Sequence, residues 1–246
     1  MKHLLLVALV ATSFSGLANA NNGVYASVKA GVSDTKVKEN TFEIRYSGTG
    51  YEKYSLEDSD LNDYPILSTA IGFDFSKIST IDARAELEYT YRGSKKLSQR
   101  MDYFTGNIPY KVDANHTMKS QSLMFNGYYD FKSRSKFTPY VSAGVGLTRL
   151  KKSESYFYNH IVGYESNSIS NSDTDNLFTW SAGLGLTYAV NNNVSLDLSY
   201  KYIHTENFEF NSHLPNAGYI TGATSDNKLT GKISSQDYSL GIRYNF

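Results

Sequence analysis

The last thirteen residues of the chain, 234–246, carry an alternating pattern that few structures satisfy. Every second residue on one side is apolar, and these residues are Tyr238, Leu240, Ile242, Tyr244 and Phe246. The residues between them are polar or small, and they include Asp237 and Arg243. Because successive side chains of a β-strand point to opposite faces, a period of two with one wholly apolar face predicts a strand.

A terminal aromatic residue preceded by apolar residues at every second position resembles the signature by which bacterial outer-membrane β-barrel proteins are recognised for assembly. The resemblance implies that Tyr238, Leu240, Ile242, Tyr244 and Phe246 form an assembly signal and that the outer-membrane assembly machinery is a partner. An edge strand of a soluble β-sandwich is the alternative explanation of the same pattern.

The N-terminus favours the first explanation. A short basic start at Lys2 is followed by an apolar stretch over residues 4–10 and by small residues at Ala18 and Ala20. This pattern predicts a secretory signal peptide over residues 1–20, with Ala18 and Ala20 forming the cleavage site. A buried N-terminal helix is the alternative. Residues 21–246 are then expected to form one β-barrel domain.

Composition excludes several classes of protein. The 24 basic and 24 acidic residues balance, so there is no electrostatic basis for nucleic-acid binding. The chain has no cysteine, which excludes a disulfide scaffold and a thiolate metal site. No run of eighteen apolar residues occurs, so the sequence offers no transmembrane helix. Neither a cofactor nor a metal site is predicted, since no EF-hand spacing is present.

The alternation of the last strand recurs in seven earlier segments, which gives eight predicted strands. The earlier segments are 24–32, 66–75, 81–92, 117–131, 140–148, 178–190 and 194–202. Connections after the second, fourth and sixth strands have about three to five residues, and the others have about twenty-five to thirty. This rhythm predicts an all-β, eight-stranded antiparallel up-and-down transmembrane β-barrel, with short periplasmic turns and four long extracellular loops. A Greek-key sandwich would not be expected to alternate short and long connections so regularly.

Closure in lipid requires apolar residues to face outward and polar residues to face inward. The charged residues expected in the narrow lumen are Lys29, Asp74, Arg84, Glu86, Glu88, Arg92, Asp130, Asp197, Lys201, Asp237 and Arg243. Since inward charges need partners, a structural network is the first interpretation, and a proton or ion path is the second. Inward glycines at 144, 146, 183 and 185 are expected to relieve crowding.

Four segments carry a further resemblance: VYASVKAGVS, FTPYVSAGVGLTR, WSAGLGLTYAV and the terminal YSLGIRYNF. They resemble the opacity-type surface proteins, an eight-stranded outer-membrane family that includes bacterial adhesins and surface antigens. The resemblance implies a location in the bacterial outer membrane and engagement of host receptors through long surface loops. The fourth predicted loop, 205–233, is long, whereas the adhesins proper keep theirs short.

Function is therefore expected in the loops, which are predicted over 33–64, 93–116, 151–176 and 205–233. Aromatic residues in them are candidate contacts with a host-surface protein or glycan: Tyr51, Tyr54, Tyr103, Phe104, Tyr156, Phe157, Tyr158, Phe208 and Phe210. Alternatively, these rings pack strand extensions above the membrane. Membrane lipid and lipopolysaccharide are further expected partners.

A hydrolytic barrel enzyme is the rival class, with His116, His160, His204 and His213 as candidates. His204 and Thr205 are neighbours on a strand and would point to opposite faces, so they could not form a base and nucleophile pair. No G-x-S-x-G motif is present. The sequence thus predicts a non-enzymatic surface protein in adhesion. A structural outer-membrane protein and a narrow porin-like channel are the alternatives.

Overall fold

The computed structural model describes residues 23–46, 50–55, 59–105, 108–160, 167–215 and 224–246. These residues form ten β-strands and one short 3-10 helix, Phe75–Lys77. The strands are β1 (Val24–Tyr46), β2 (Gly50–Ser55), β3 (Ser59–Asp74), β4 (Ala83–Thr105), β5 (Ile108–Asp130), β6 (Phe137–His160), β7 (Asn167–Ala189), β8 (Val194–Thr205), β9 (Phe208–Pro215) and β10 (Thr224–Asn245).

Eight of these strands close into an antiparallel barrel in the order β1-β3-β4-β5-β6-β7-β8-β10, and β10 pairs back to β1. The closing register sets Tyr25 opposite Asn245, and the Phe246 N–H donates to the Val24 carbonyl at 3.1 Å. Each of the eight barrel strands therefore has a partner on both edges, which leaves no unpaired backbone edge in the closed part. The predicted eight-stranded barrel is confirmed, and β2 and β9 are additions to it.

The outer face of the closed part is an apolar band. Its alternate residues are apolar and exposed, such as Leu87, Phe125, Leu198 and Leu240. On β6 the band runs from Phe137 to Leu147. That distance is about 25 Å at the usual rise and tilt, which matches the apolar band of an outer-membrane barrel. No helix among the described residues is long and apolar enough to cross a membrane.

Short turns close one end of the barrel. They span residues 75–82, 131–136 and 190–193, close to the predicted positions. The Asn191 side-chain oxygen accepts the N–H groups of Asn193 and Val194 at 2.9 and 2.8 Å, which is an Asx turn. The Asp74 carboxylate similarly accepts the N–H of Ser76 at 3.0 Å. Asp74, predicted as a lumen charge, thus ends β3 at the rim of the inner face and caps the turn that follows.

The four long connections were predicted as loops, but β-strands occupy much of them. β1 continues to Tyr46, β4 to Thr105 and β6 to His160, and β5, β7 and β10 begin correspondingly early. Above the apolar band the outer face meets water, so a strand there no longer shows an apolar outer side. The sequence pattern therefore hides the continuation.

Above the band the barrel wall divides into two sheets. The β3–β4 pairing reaches only Ile66 opposite Arg92, and the β7–β8 pairing ends at Thr179 opposite Thr205. Beyond these points, β4, β5, β6 and β7 continue together as one sheet. Strands β2, β1, β10 and β9 form the other, and the first part of β3 pairs with β1 in this sheet as far as Ser59 opposite Val37. We call these the β4–β7 sheet and the β1–β10 sheet.

An apolar cluster lines the interior between the two sheets. Its buried members are Val37, Tyr64, Leu150, Leu177, Phe208, Phe210 and Ile233, with Met118 and Leu229 packed against them. On β6, Leu147 faces outward while Leu150, three residues later, faces inward. Apolar side chains thus change sides where the band ends. The upper part of the barrel has the polarity of a water-soluble protein.

Candidate functional site

The lumen of the closed part contains a buried network of charged side chains. The structure buries Lys29, Arg84, Glu86, Glu88, Arg92, Asp130, Asp197 and Asp237, and it places Lys201 and Arg243 partly buried on the same inner face. Asp74, the last residue of β3, lies opposite Arg84 at the rim of the same inner face and is partly buried. Apart from Asp74, five cations and five anions share the lumen, which keeps its formal charge neutral.

Lys29 is the centre of this network. Its Nζ lies 3.7 Å from Glu86, 3.5 Å from Glu88 and 4.0 Å from Asp197. Lys201 approaches Glu88 from the other side at 2.6 Å. The three strands that supply these residues, β1, β4 and β8, are held together across the lumen by these contacts.

Tyrosines complete the lower half of the lumen. Glu86 accepts hydrogen bonds from the hydroxyls of Tyr25 and Tyr128 at 2.9 and 2.7 Å. The Arg84 guanidinium forms a two-pronged bond with Asp130 at 2.8 and 2.9 Å and lies over the Tyr128 ring at 4.5 Å. The alternation of the predicted strand 117–131 places Tyr128 on the same face as Asp130, but Tyr128 was not among the residues predicted for the network. The sequence signal that could have identified it is an aromatic residue on the polar face of a strand.

A belt of hydroxyl groups lies between this network and the apolar cluster. Arg92 donates to Asp237 at 2.7 Å and to Ser122 at 2.8 Å. Ser122 and Thr148 share a hydrogen bond at 2.9 Å, and the Thr179 hydroxyl donates to Thr148 at 2.7 Å. The filled lumen is thus held by ion pairs below and by hydroxyls above. Chemically, the arrangement rigidifies the barrel and fills the path through it.

The predicted aromatic contacts divide into two groups. Phe208 and Phe210 are 1% and 3% exposed and belong to the apolar cluster, with the Lys152 Nζ 5.4 Å from the Phe210 ring centre. These two rings therefore pack the strand extension, and they are not surface contacts. The side chains of the other seven lie outside the described part of the structure: Tyr51, Tyr54, Tyr103, Phe104, Tyr156, Phe157 and Tyr158.

Strand β9 is attached to β7 by side chains, a feature that sequence reasoning missed. The Asp175 carboxylate accepts the backbone N–H of Glu209 at 2.9 Å, and the Asp173 carboxylate accepts that of Asn211 at 3.0 Å. We call this contact the aspartate seam. On its exposed side, hydrogen bonds from Lys228 and Asn211 lower the pKa of the Glu209 carboxyl. The only sequence signal was the alternation of aspartates at 173 and 175.

His204 and Thr205 lie on opposite faces of β8, as expected. The His204 ring packs against Trp180 of the outer face with ring centres 5.5 Å apart, whereas the Thr205 hydroxyl donates inward to the Ile233 carbonyl at 3.1 Å. The side chains of His116, His160 and His213 are not among those described. Within the described residues, no group of three or more histidine or acidic side chains could hold a metal ion.

The remaining predicted site residues lie at the two ends of the chain. Tyr238, Leu240, Ile242 and Tyr244 all face outward and are exposed, and Phe246 follows them at the rim. Their role as an assembly signal stays a prediction. Ala18 and Ala20 lie outside the described residues, so the cleavage site also stays a prediction.

Comparison with known proteins supplies the family. A family model described as the outer membrane protein beta-barrel domain matches residues 4–246. The chain belongs to this outer-membrane β-barrel family. The predicted location in the bacterial outer membrane is confirmed, and the resemblance to the opacity-type barrels is confirmed at the level of the family. The short turns of this outer-membrane barrel are therefore periplasmic, and its two upper sheets are extracellular.

Individual relatives agree with the family. The outer-membrane barrel is 30% identical over 258 residues to the outer membrane protein PagN of Salmonella typhimurium, with 100% of both chains covered. It is 27% identical over 114 residues to a predicted adhesin of Rickettsia bellii, covering 46% of this chain and 48% of that one. The crystal structure of OprG from Pseudomonas aeruginosa matches with a TM-score of 0.51 at 11% identity, covering 92% and 98%, which shows the shared fold alone.

Proposed function

We propose that this barrel is a non-enzymatic surface protein that attaches the bacterium to a host-surface protein or glycan through its two extracellular sheets. The observation that carries the proposal is the height of these sheets. On β6, the strand continues from Leu147 at the edge of the apolar band to His160. At the usual rise and tilt this is a projection of about 30 Å above the membrane.

The projection has its own apolar core, which supports a role outside the membrane. A barrel that served only the membrane would need no cluster such as Phe208 and Phe210 above the band. Rigid elements hold a binding surface more precisely than loose loops do. The similarity to a predicted adhesin of Rickettsia bellii agrees with attachment as the task.

Two rival functions have less support. A hydrolase would need a nucleophile beside a base, and Thr205 points inward while His204 faces outward. A channel would need an open path, and the lumen is occupied by bonded pairs such as Arg84 with Asp130. We include in the proposal a signal peptide over residues 1–20, which N-terminal sequencing of the membrane-inserted protein tests.

Shortening two hairpins tests the attachment function. The β4–β5 hairpin is cut above the pair Lys95–Met118 and the β6–β7 hairpin above the pair Ser153–Ser172, each closed by an Asn-Gly turn. We expect attachment to host cells to fall to background, because most of the projecting β4–β7 sheet is removed. Heat-modifiable gel mobility should persist, since the closed barrel and the apolar cluster remain.

These hairpins are chosen because the connection between β8 and β10 carries Phe208 and Phe210, whose loss would uncover the cluster. In a second variant, both hairpins keep their length while the order of the residues above these two pairs is shuffled. This variant should insert normally and lose attachment as well. Attachment equal to that of the full chain in both variants would refute the proposal.

A further inference from the structure

Three cations face outward together on neighbouring strands directly above the apolar band. They are Lys119 of β5 and Arg149 and Lys151 of β6, and all three are exposed. Lys119 and Lys151 are cross-strand partners, and Arg149 is the partner of Gln121. Like charges directly opposite each other on one face of a sheet destabilise it unless a counter-charge is present. We call these three residues the basic patch.

The adjoining outward positions supply no counter-charge. On β7, Asn176 lies opposite Arg149 and Thr174 lies opposite Lys151. On β5, the next outward residues on either side of Lys119 are Gln121 and Thr117. Among the described residues, no ion pair involves a member of the basic patch. An anion from outside the chain is therefore the natural partner.

The height of the patch identifies where that anion would lie. Leu123 and Leu147 are the last apolar outward residues of β5 and β6 and are 51% and 59% exposed. Arg149 is two residues above Leu147, or about 5 Å, and the two lysines are about 10 Å above it at the usual rise and tilt. The polar headgroup layer of a membrane begins just outside the hydrocarbon core and is about 5–8 Å thick. Arg149 therefore lies within the headgroup layer, and the two lysines lie just beyond its outer edge.

We propose that the basic patch binds the phosphate groups of a phosphorylated glycolipid in the outer leaflet, the lipid part of lipopolysaccharide. The guanidinium of Arg149 offers two parallel donors to a phosphate, and the two lysines add point charges above it. Basic residues at a membrane surface attract anionic lipid headgroups in this way. The inference does not depend on the proposed attachment function, because it uses the outer wall of the barrel and not the projecting hairpin tips.

Binding of fluorescently labelled lipopolysaccharide to the folded protein in detergent micelles tests the proposal. The test variant is Lys119→Gln/Arg149→Gln/Lys151→Gln. We expect it to bind roughly a hundredfold more weakly than the wild type, about fivefold for each basic residue near a phosphate surface. Arg149→Lys alone keeps the charge but loses the two-pronged geometry, and it should weaken binding several-fold.

The matched control, Lys36→Gln/Lys38→Gln/Lys232→Gln, removes the same three charges from the outer face of β1 and β10. There the outward residue between the apolar band and the lysines is Asp34, and Lys36 and Lys232 already have interactions within the chain, unlike the members of the basic patch. The control should bind as the wild type does. Dephosphorylated lipopolysaccharide should bind equally and weakly to the wild type and to the test variant. Heat-modifiable mobility verifies that each variant is folded, and Arg149→Lys provides the comparison if the triple variant does not fold.

Two results would overturn the proposal. The first is equal affinity of the wild type for phosphorylated and dephosphorylated lipid. The second is full displacement of the lipid by a lipid-free sulfated polysaccharide at the same concentration of charge, which would make the patch a site for soluble polyanions.

Discussion

At the scale of single residues, an ion pair inside the barrel and an ion pair at its surface differ in how much they contribute to stability. Arg84 and Asp130 meet at 2.8 Å with 2% and 5% of their side chains exposed. Lys132 and Asp82 meet at 3.0 Å with 40% and 38% exposed. Losing one member of a buried pair leaves an uncompensated charge, whereas water solvates the survivor of an exposed pair.

We therefore predict that Asp130→Ala lowers the free energy of unfolding by about 3–5 kcal/mol. The matched variant Asp82→Ala should lower it by less than about 1 kcal/mol. Urea unfolding of the protein in lipid vesicles, followed by gel mobility, measures both. Equal effects of the two substitutions would mean that the lumen pair is solvated, and the interpretation of a filled lumen would fail.

The facing of the inward glycines could be predicted from the sequence, but the side chains that they accommodate could not. The sequence predicted that small residues relieve crowding in the lumen, and a Cβ at Gly185 would indeed overlap the ring of Tyr140. The Tyr140 hydroxyl donates to Asp197 at 3.0 Å. The alternation assigned each residue to a face. It could not reveal which ring fills which gap, because that depends on the stagger of strands around the barrel.

At the scale of elements, the alternation predicted the strands inside the membrane and missed their continuations. Inside the band, apolar residues such as Val145 and Leu147 face lipid. Above it, Leu150 faces inward, so the apolar residues change from odd to even positions within three residues. A search for one unbroken apolar face ends at this change. The same shift can be read from a sequence in retrospect, and it indicates the height of the membrane surface.

The aspartate seam gives a prediction at this scale. In the variant Asp173→Ala/Asp175→Ala, the N–H groups of Glu209 and Asn211 lose their acceptors. We expect these two amides to exchange with solvent about tenfold faster, the effect of losing roughly 1.4 kcal/mol of protection each. Hydrogen exchange measured by mass spectrometry on peptides covering β9 checks this.

The variant Asp173→Asn/Asp175→Asn is the control, since it keeps an acceptor oxygen at each position. It should show a smaller increase in exchange. Peptides from the membrane band should be unchanged in both variants. Unchanged exchange in β9 of the alanine variant would show that its pairing with β10 suffices and that the seam contributes nothing.

At the scale of the whole molecule, the single tryptophan reports on insertion. Trp180 lies on the outer face of the apolar band and is 41% exposed. In a folded, inserted barrel its side chain touches lipid, so lipids brominated on their acyl chains should quench most of its fluorescence. Vesicles of unbrominated lipids with the same headgroup are the control. Quenching by a water-soluble agent but not by brominated lipid would mean that the band faces water.

The closure between β1 and β10 has a consequence for how the molecule is made. Tyr25 pairs with Asn245, and the last amide of the chain bonds to the first residue of β1. Contacts between the two ends of a chain form slowly, because the entropy of closing so long a loop is lost before the contacts are gained. The ring cannot be completed until β10 has been synthesised and exported. Until then any sheet that forms has an open strand edge at each end, where wrong partners can pair, so the nascent protein depends on protection from aggregation during its whole transit.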